Sequence, residues 1–167
     1  MLAGLFGVCR RLFSVDIAQV EPASVGAQLW DEQVLLFEVR RDGAPIGYFY
    51  LDAFVRPGEK KGGAWMNGVV GRSRALAPPG AQVRLPVANP KPNPNPKPKP
   101  KPNPSQVRLP VAVLCCNQAP PVTDPASGEV TPSLMTFGEC TTLFHETGHG
   151  LQHMLTQVRL TRVRVIG

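Results

Sequence analysis

The chain has 167 residues, of which 43% are apolar, enough for one ordinary globular domain and too few for two. Its formal charge is +6, but four of the 18 basic residues and none of the 12 acids lie in Asn89–Ser105, so the remainder is almost neutral. No stretch approaches the roughly 18 consecutive apolar residues of a membrane-spanning helix. The composition argues against a wholly disordered chain and against a generally basic one, so we expect neither nucleic acid nor a membrane as a partner.

The first 15 residues predict a short amphipathic helix. They contain Arg10 and Arg11 and no acid, which is also typical of a transit peptide. The helix is the favoured interpretation because six apolar side chains fit one helical face: Leu2, Leu5, Phe6, Val8, Leu12 and Phe13.

The four cysteines predict reduced thiols rather than a disulfide framework. Cys9, Cys115, Cys116 and Cys140 show no regular spacing and no CxxC pair. Because disulfides are rare in the reducing interior of the cell, this pattern favours an intracellular protein.

A β-hairpin is predicted in the first half of the chain. Val34–Arg40 and Ile46–Asp52 are rich in β-branched and aromatic residues, and Asp42-Gly43 between them is a strong turn signal. Arg56–Gly63 then predicts a loop. Farther along, Leu109–Cys116 predicts a buried strand or extended segment, and Thr123–Pro132 is rich in turn residues.

A proline-rich insert interrupts the chain. The heptapeptide QVRLPVA occurs at Gln82–Ala88 and again at Gln106–Ala112, and between the copies proline takes every second position from Pro90 to Pro104. Alternate prolines exclude helix and sheet ladders and favour an extended polyproline helix. We therefore predict a disordered low-complexity insert at 82–105. QVRL recurs at Gln157–Leu160, where a divergent basic tail begins.

The last predicted element is a helix over about residues 137–155. Thr136 and Glu139 match a capping box, in which a hydroxyl and a carboxylate reciprocally satisfy free amides at a helix start. Apolar residues recur downstream at helical spacing: Leu143, Phe144, Leu151, Met154 and Leu155.

This helix carries an H-E-x-x-H motif at residues 145–149. His145 and His149 lie one turn apart on the same face, so both imidazoles can reach one tetrahedral cation. Glu146 can then take a proton from a water molecule and deliver it to a leaving amine. This pattern predicts a metal-dependent hydrolase, with two surface histidines beside a glutamate as the alternative.

A third metal ligand is not identified by the sequence, although catalytic zinc sites usually have three. Residues 150–167 contain no Asp, Glu or Cys, and His153 is eight residues from His145, about 12 Å along a helix. The upstream residues Cys116, Asp124 and Glu129 would have to fold back to reach the histidines, and nothing in the sequence favours this.

Several segments, in order, resemble peptidase family M3, the thimet oligopeptidase and oligopeptidase A family. Leu143–Thr156 (LFHETGHGLQHMLT) is similar to its active-site helix, and Phe37–Met66 is similar to its hairpin and glycine-rich segment. Leu109–Pro121 resembles the extended stretch before that helix, and Leu2–Val15 resembles the helical segment before the hairpin. Gln152 departs from the histidine usual at that position, and Thr147 departs from an aromatic residue.

The resemblance implies a fragment of a large, mostly helical catalytic domain, so we expect a mainly α fold with a small β-hairpin or sheet. The catalytic-domain fragments would be residues 1–81 and 106–156, separated by the insert 82–105 and followed by the tail 157–167. By resemblance, His145 and His149 would bind one zinc ion and Glu146 would be the general base. The family's third ligand is a glutamate on a following helix, at a position past Gly167 and so absent from the chain.

The implied function is a zinc-dependent metalloendopeptidase that hydrolyses short peptides in the cytoplasm or in an organelle such as a plastid or mitochondrion. The alternative is a catalytically incomplete metal-binding or interaction remnant of such an enzyme. A weaker alternative is a basic proline-rich module whose lysines bind an acidic partner. The sequence does not define the oligomeric state.

Overall fold

The computed structural model describes residues 1–72 and 109–156. The predicted insert 82–105 and tail 157–167 lie outside the described residues. The elements in chain order are helix α1 (Leu2–Phe13), strand β1 (Asp16–Gln19), a 3-10 turn (Pro22–Val25), β2 (Leu35–Arg41), β3 (Ala44–Phe54), β4 (Trp65–Val70), β5 (Val111–Gln118), β6 (Val122–Thr123), β7 (Val130–Thr131) and helix α2 (Phe137–Leu155).

A mixed five-stranded sheet organises the described part of the chain, in the order β1-β2-β3-β5-β4. The two central strands, β3 and β5, run parallel, and the other neighbours are antiparallel. Strands account for 33% of the described residues and helices for 29%, so the expected mainly α fold is wrong. The expectation failed because the resemblance carried the helical content of a whole catalytic domain over to a segment that is built on a sheet.

Both helices pack on the same face of this sheet. The main core cluster contains Leu5 and Cys9 of α1, Phe49 and Leu114 of the central strands, and Met154 of α2, together with eight other buried residues. A second cluster lies on the opposite face, where Tyr48 and Tyr50 pack beneath the connection between β1 and β2. Because parallel strands are buried on both faces, β3 and β5 form the centre of the fold.

The predicted hairpin is confirmed as β2 and β3. Phe37 pairs with Phe49, and the two rings stack with centroids 5.1 Å apart. Asp42 and Gly43 at the turn have φ angles of 52° and 75°, the left-handed conformation that a tight two-residue hairpin turn requires. The predicted helix at the N-terminus and the strand near residue 111 are also confirmed, as α1 and β5.

The connection from β3 to β4 crosses the end of β5, and we call residues 55–64 the crossover loop. Asp52 holds one part of this loop. Its carboxylate accepts two hydrogen bonds from Arg56, at 2.8 and 2.6 Å, and one from the Lys60 ammonium at 2.9 Å. The Asn117 amide of β5 fastens the other side by donating to the carbonyl oxygens of Lys61 and Gly63. These contacts determine where β4 begins.

Helix α2 begins and ends as the sequence predicts. The Thr136 hydroxyl accepts from the Glu139 amide at 3.2 Å, and the Glu139 carboxylate accepts from the Thr136 amide at 2.7 Å, so the capping box is confirmed. Gly150 faces the sheet at a site where an added Cβ would lie 3.0 Å from Leu114, which allows the close approach of helix and strand. The helix therefore lies tightly on β5, with its motif held next to the edge of the sheet.

Candidate metal and peptidase site

The structure brings His145 and His149 together on the exposed side of α2. Their Nε2 atoms are 3.0 Å apart, and the ring centroids are 4.6 Å apart with the planes nearly perpendicular. Tetrahedral coordination with zinc–nitrogen bonds of about 2.0–2.1 Å places two ligand nitrogens about 3.3 Å apart. The two imidazoles thus have nearly the spacing that one shared zinc ion needs.

The described residues fit two of the three protein ligands of a catalytic zinc site. Within residues 1–72 and 109–156, no group of three or more His, Cys, Asp or Glu side chains is placed to hold a metal. The upstream residues Cys116, Asp124 and Glu129 therefore do not join the two histidines. The donor set matches zinc in chemistry and in spacing.

Glu146 lies between the histidine face and the sheet, with only 7% of its surface exposed. A titratable neighbour of Glu146 on the sheet is the thiol of Cys116 on β5. Burial raises the pKa of Cys116 to about 11; the Lys60 ammonium opposes this rise and the Glu146 carboxylate adds to it. Glu146 therefore lies close to the end of β5, on the inner side of the motif.

The C-terminal part of α2 is joined to β4 by two side chains that the sequence did not single out as anchors. The His153 Nε2 atom lies 2.8 Å from the Val70 carbonyl oxygen, and the Arg72 guanidinium donates to the Met154 carbonyl at 2.7 Å. His153 rests directly on Gly68, where an added Cβ would come within 2.9 Å of the ring. Asn67-Gly68 is a turn signal in the sequence, but here the glycine makes room for the histidine.

These contacts hold the motif helix alongside an edge strand. Among the described strands, β4 pairs only with β5, so its other side is an open edge of the sheet. Ala64, just before β4, lies beside the cleft at the first turns of α2, and Gly68 near the end of β4 contacts His153. The edge strand therefore runs in the same direction as helix α2.

The H-E-x-x-H motif on a helix is a signature of metal-dependent peptidases. Comparison with known proteins agrees with a peptidase. The model of peptidase family M3 matches residues 1–166. The chain belongs to peptidase family M3.

Several relatives carry oligopeptidase names. The chain is 44% identical over 158 residues to the organellar oligopeptidase A, chloroplastic/mitochondrial, of Arabidopsis thaliana, and 41% identical to the probable cytosolic oligopeptidase A of the same plant; each match covers 94% of the chain. It is 32% identical over 161 residues to oligopeptidase A of Escherichia coli (strain K12), a match that covers 96% of the chain. The matches span 16–18% of the length of these relatives.

No helix in the described ranges is long and apolar enough to cross a membrane.

Proposed function

We propose that this chain carries the catalytic helix of a zinc-dependent metalloendopeptidase that hydrolyses short peptides. The observation that carries the proposal is the pair of imidazole Nε2 atoms 3.0 Å apart with the buried Glu146 between them and the sheet. Membership of family M3 and the oligopeptidase names of the relatives support the peptide substrate.

Each residue of the motif has a distinct role in this proposal. His145 and His149 hold one zinc ion, which supplies Lewis acidity toward the scissile carbonyl when it is bound. Glu146 takes a proton from the attacking water on its carboxylate and returns it to the leaving amine nitrogen. The open edge of β4 supplies backbone donors and acceptors on which an extended peptide can lie as an added strand.

A second candidate is a metal-binding remnant without catalysis, which is favoured by the lack of a third ligand among the described residues. The cellular site that we propose for either candidate is the cytosol or an organelle. The names of the two plant relatives and the four free cysteines of the chain support this compartment.

Removal of the metal tests the catalytic proposal. We expect the chain, in excess zinc, to cleave a blocked pentapeptide slowly, because the two histidines hold the metal beside Glu146. A chelator should abolish the cleavage, and added zinc should restore it. Cleavage that persists in the chelator would contradict zinc dependence, whereas zinc binding without any cleavage would favour the remnant.

A further inference from the structure

A cleft of about 200 Å³ opens at the N-terminal end of α2, one turn before the H-E-x-x-H motif. One wall is the start of β4 with Gly63 and Ala64, the opposite wall is α2 with Glu139 and Thr142, and Cys116 of β5 lies between them. The crossover loop, which Asp52 and Asn117 fasten, places the first of these walls. The cleft is thus built from three elements whose relative positions the fold determines.

The cleft lies about one helical turn from the proposed general base. Thr142 precedes Glu146 by four residues, one helical turn, so both lie on the same side of α2. Cys116 lies close enough to Glu146 for the carboxylate to contribute to the rise in the pKa of its thiol. A group bound in the cleft would therefore lie one turn away from the residue that handles the proton.

The lining disfavours an acidic occupant. Cys116 is 2% exposed and its pKa of about 11 keeps it a neutral thiol. The Thr142 hydroxyl donates to the Gly138 carbonyl at 2.9 Å within the helix, so it is already satisfied. Glu139 is the charged member of the lining, and hydrogen bonds from the Thr136 backbone and side chain lower its pKa and keep it anionic. An acidic side chain would be repelled here.

The volume indicates one side chain rather than a whole molecule. Small-molecule sites are clefts of about 300–1,000 Å³, which is larger than this cleft. A single aliphatic side chain fits, and burial of its apolar surface supplies the binding free energy.

We propose that this cleft is a specificity subsite that takes one medium-sized aliphatic side chain of the peptide, next to the bond that is cleaved. This inference rests on the proposed function, because a specificity subsite requires that the chain acts on peptides. It adds a side-chain preference that no residue of the H-E-x-x-H motif supplies. Leucine, valine and methionine side chains are accepted, and aspartate and glutamate side chains are rejected.

The test is an NMR titration of the full chain with N-acetyl-leucine N-methylamide, compared with the aspartate analogue, with and without zinc. We expect shifts of the amides of Ala64, Cys116 and Thr142 with the leucine compound and at least tenfold weaker binding of the aspartate compound. Thr142→Leu fills the cleft and should weaken the leucine compound at least tenfold. The matched control is Thr141→Leu, because Thr141 is exposed and makes the same intrahelical bond, to Phe137 at 3.0 Å.

Equal binding of the two compounds, unchanged binding in Thr142→Leu, or shifts confined to another surface would overturn the subsite. Ala64→Val narrows the cleft from the opposite wall and should weaken binding of the leucine compound to the same extent. This second variant tests the cleft even if Thr142→Leu alters the helix. The titration without zinc separates the two proposals. Shifts in a chain that binds no zinc would count against the metallopeptidase alone, and normal zinc binding without shifts would count against the cleft alone.

Discussion

Asp52→Ala is expected to lower the free energy of unfolding by about 3–5 kcal/mol, because it removes the buried carboxylate that bonds both Arg56 and Lys60 and leaves the Lys60 ammonium with carbonyl acceptors alone. The Asp52 carboxylate is 5% exposed and accepts from Arg56, from Lys60 and, at 3.1 Å, from the Trp30 indole. The Lys60 ammonium is 4% exposed and also donates to the carbonyls of Asp52 and Phe54. Denaturant unfolding of the variant and of the wild-type chain measures the loss.

The matched control is Asp16→Ala, which removes an ion pair with Arg10 whose side chains are 73% and 58% exposed. Exposed pairs contribute about 0–1 kcal/mol, so this variant should unfold almost like the wild type. Equal losses in the two variants would mean that the Asp52 network does not secure the crossover loop.

The hydrogen bonds to Asp52 also determine how the stability of the fold changes as the pH falls. Burial alone would raise the pKa of Asp52, but the hydrogen bonds from Arg56, Lys60 and Trp30 outweigh it and lower the pKa below its ordinary value. The stability that ionised Asp52 supplies is therefore present above the unfolded pKa and is lost as the pH falls through the lower folded pKa. Asp52→Ala should lose this part of the acid sensitivity.

Glu146→Gln is expected to reduce zinc-dependent cleavage of the blocked pentapeptide by about 10²–10⁴-fold, the usual contribution of a general acid–base residue. The amide keeps the size of the side chain but cannot take a proton from water. Zinc affinity should remain unchanged, because Glu146 lies on the inner side of the helix and the two histidines supply the nitrogen ligands. Single-turnover cleavage and zinc titration measure the two effects separately.

Glu129→Gln, in the exposed turn between β6 and β7, makes the same chemical change away from α2 and should leave cleavage unaffected. If Glu146→Gln cleaves at the wild-type rate, Glu146 is not the general base. If it loses zinc as well as cleavage, the residue acts on the metal site and the assignment of roles is wrong.

Local sequence signals predicted the elements that form from neighbouring residues. Asp42-Gly43 gives the turn between β2 and β3, and the Thr136–Glu139 capping box gives the start of α2. Both depend on contacts within a few residues, and hydrophobic periodicity then predicts the rest of the helix.

The sheet was not predictable in the same way, since its order depends on pairing between distant segments. The sequence of β4, WMNGVV, contains the turn signal Asn67-Gly68, and it is a strand because Trp65 pairs with Cys115 and Gly68 pairs with Ala112. β1 is only four residues long and exists through its pairing with β2. Periodicity within a segment carries no information about such partners.

In the candidate site, too, features set by neighbouring residues were predictable and features set by distant segments were not. The spacing of His145 and His149 gives the pair of ring nitrogens directly, because residues four apart share a helix face. Other contacts depend on how loops and strands cross. These are the contacts among Asp52, Arg56 and Lys60 and the hydrogen bond between His153 and the Val70 carbonyl. None of these contacts follows from a local spacing rule, because Asp52, Arg56 and Lys60 lie on a strand and a loop rather than on one helix.

Zinc stoichiometry and affinity of the purified chain test the central claim most directly, because the proposed catalysis depends on the two-histidine site. We predict one zinc ion per chain, loss of binding in His149→Ala, and retained binding in His153→Ala, since His153 is engaged with Val70. Zinc binding that survives His149→Ala, or that is lost only in His153→Ala, would contradict the proposed metal site.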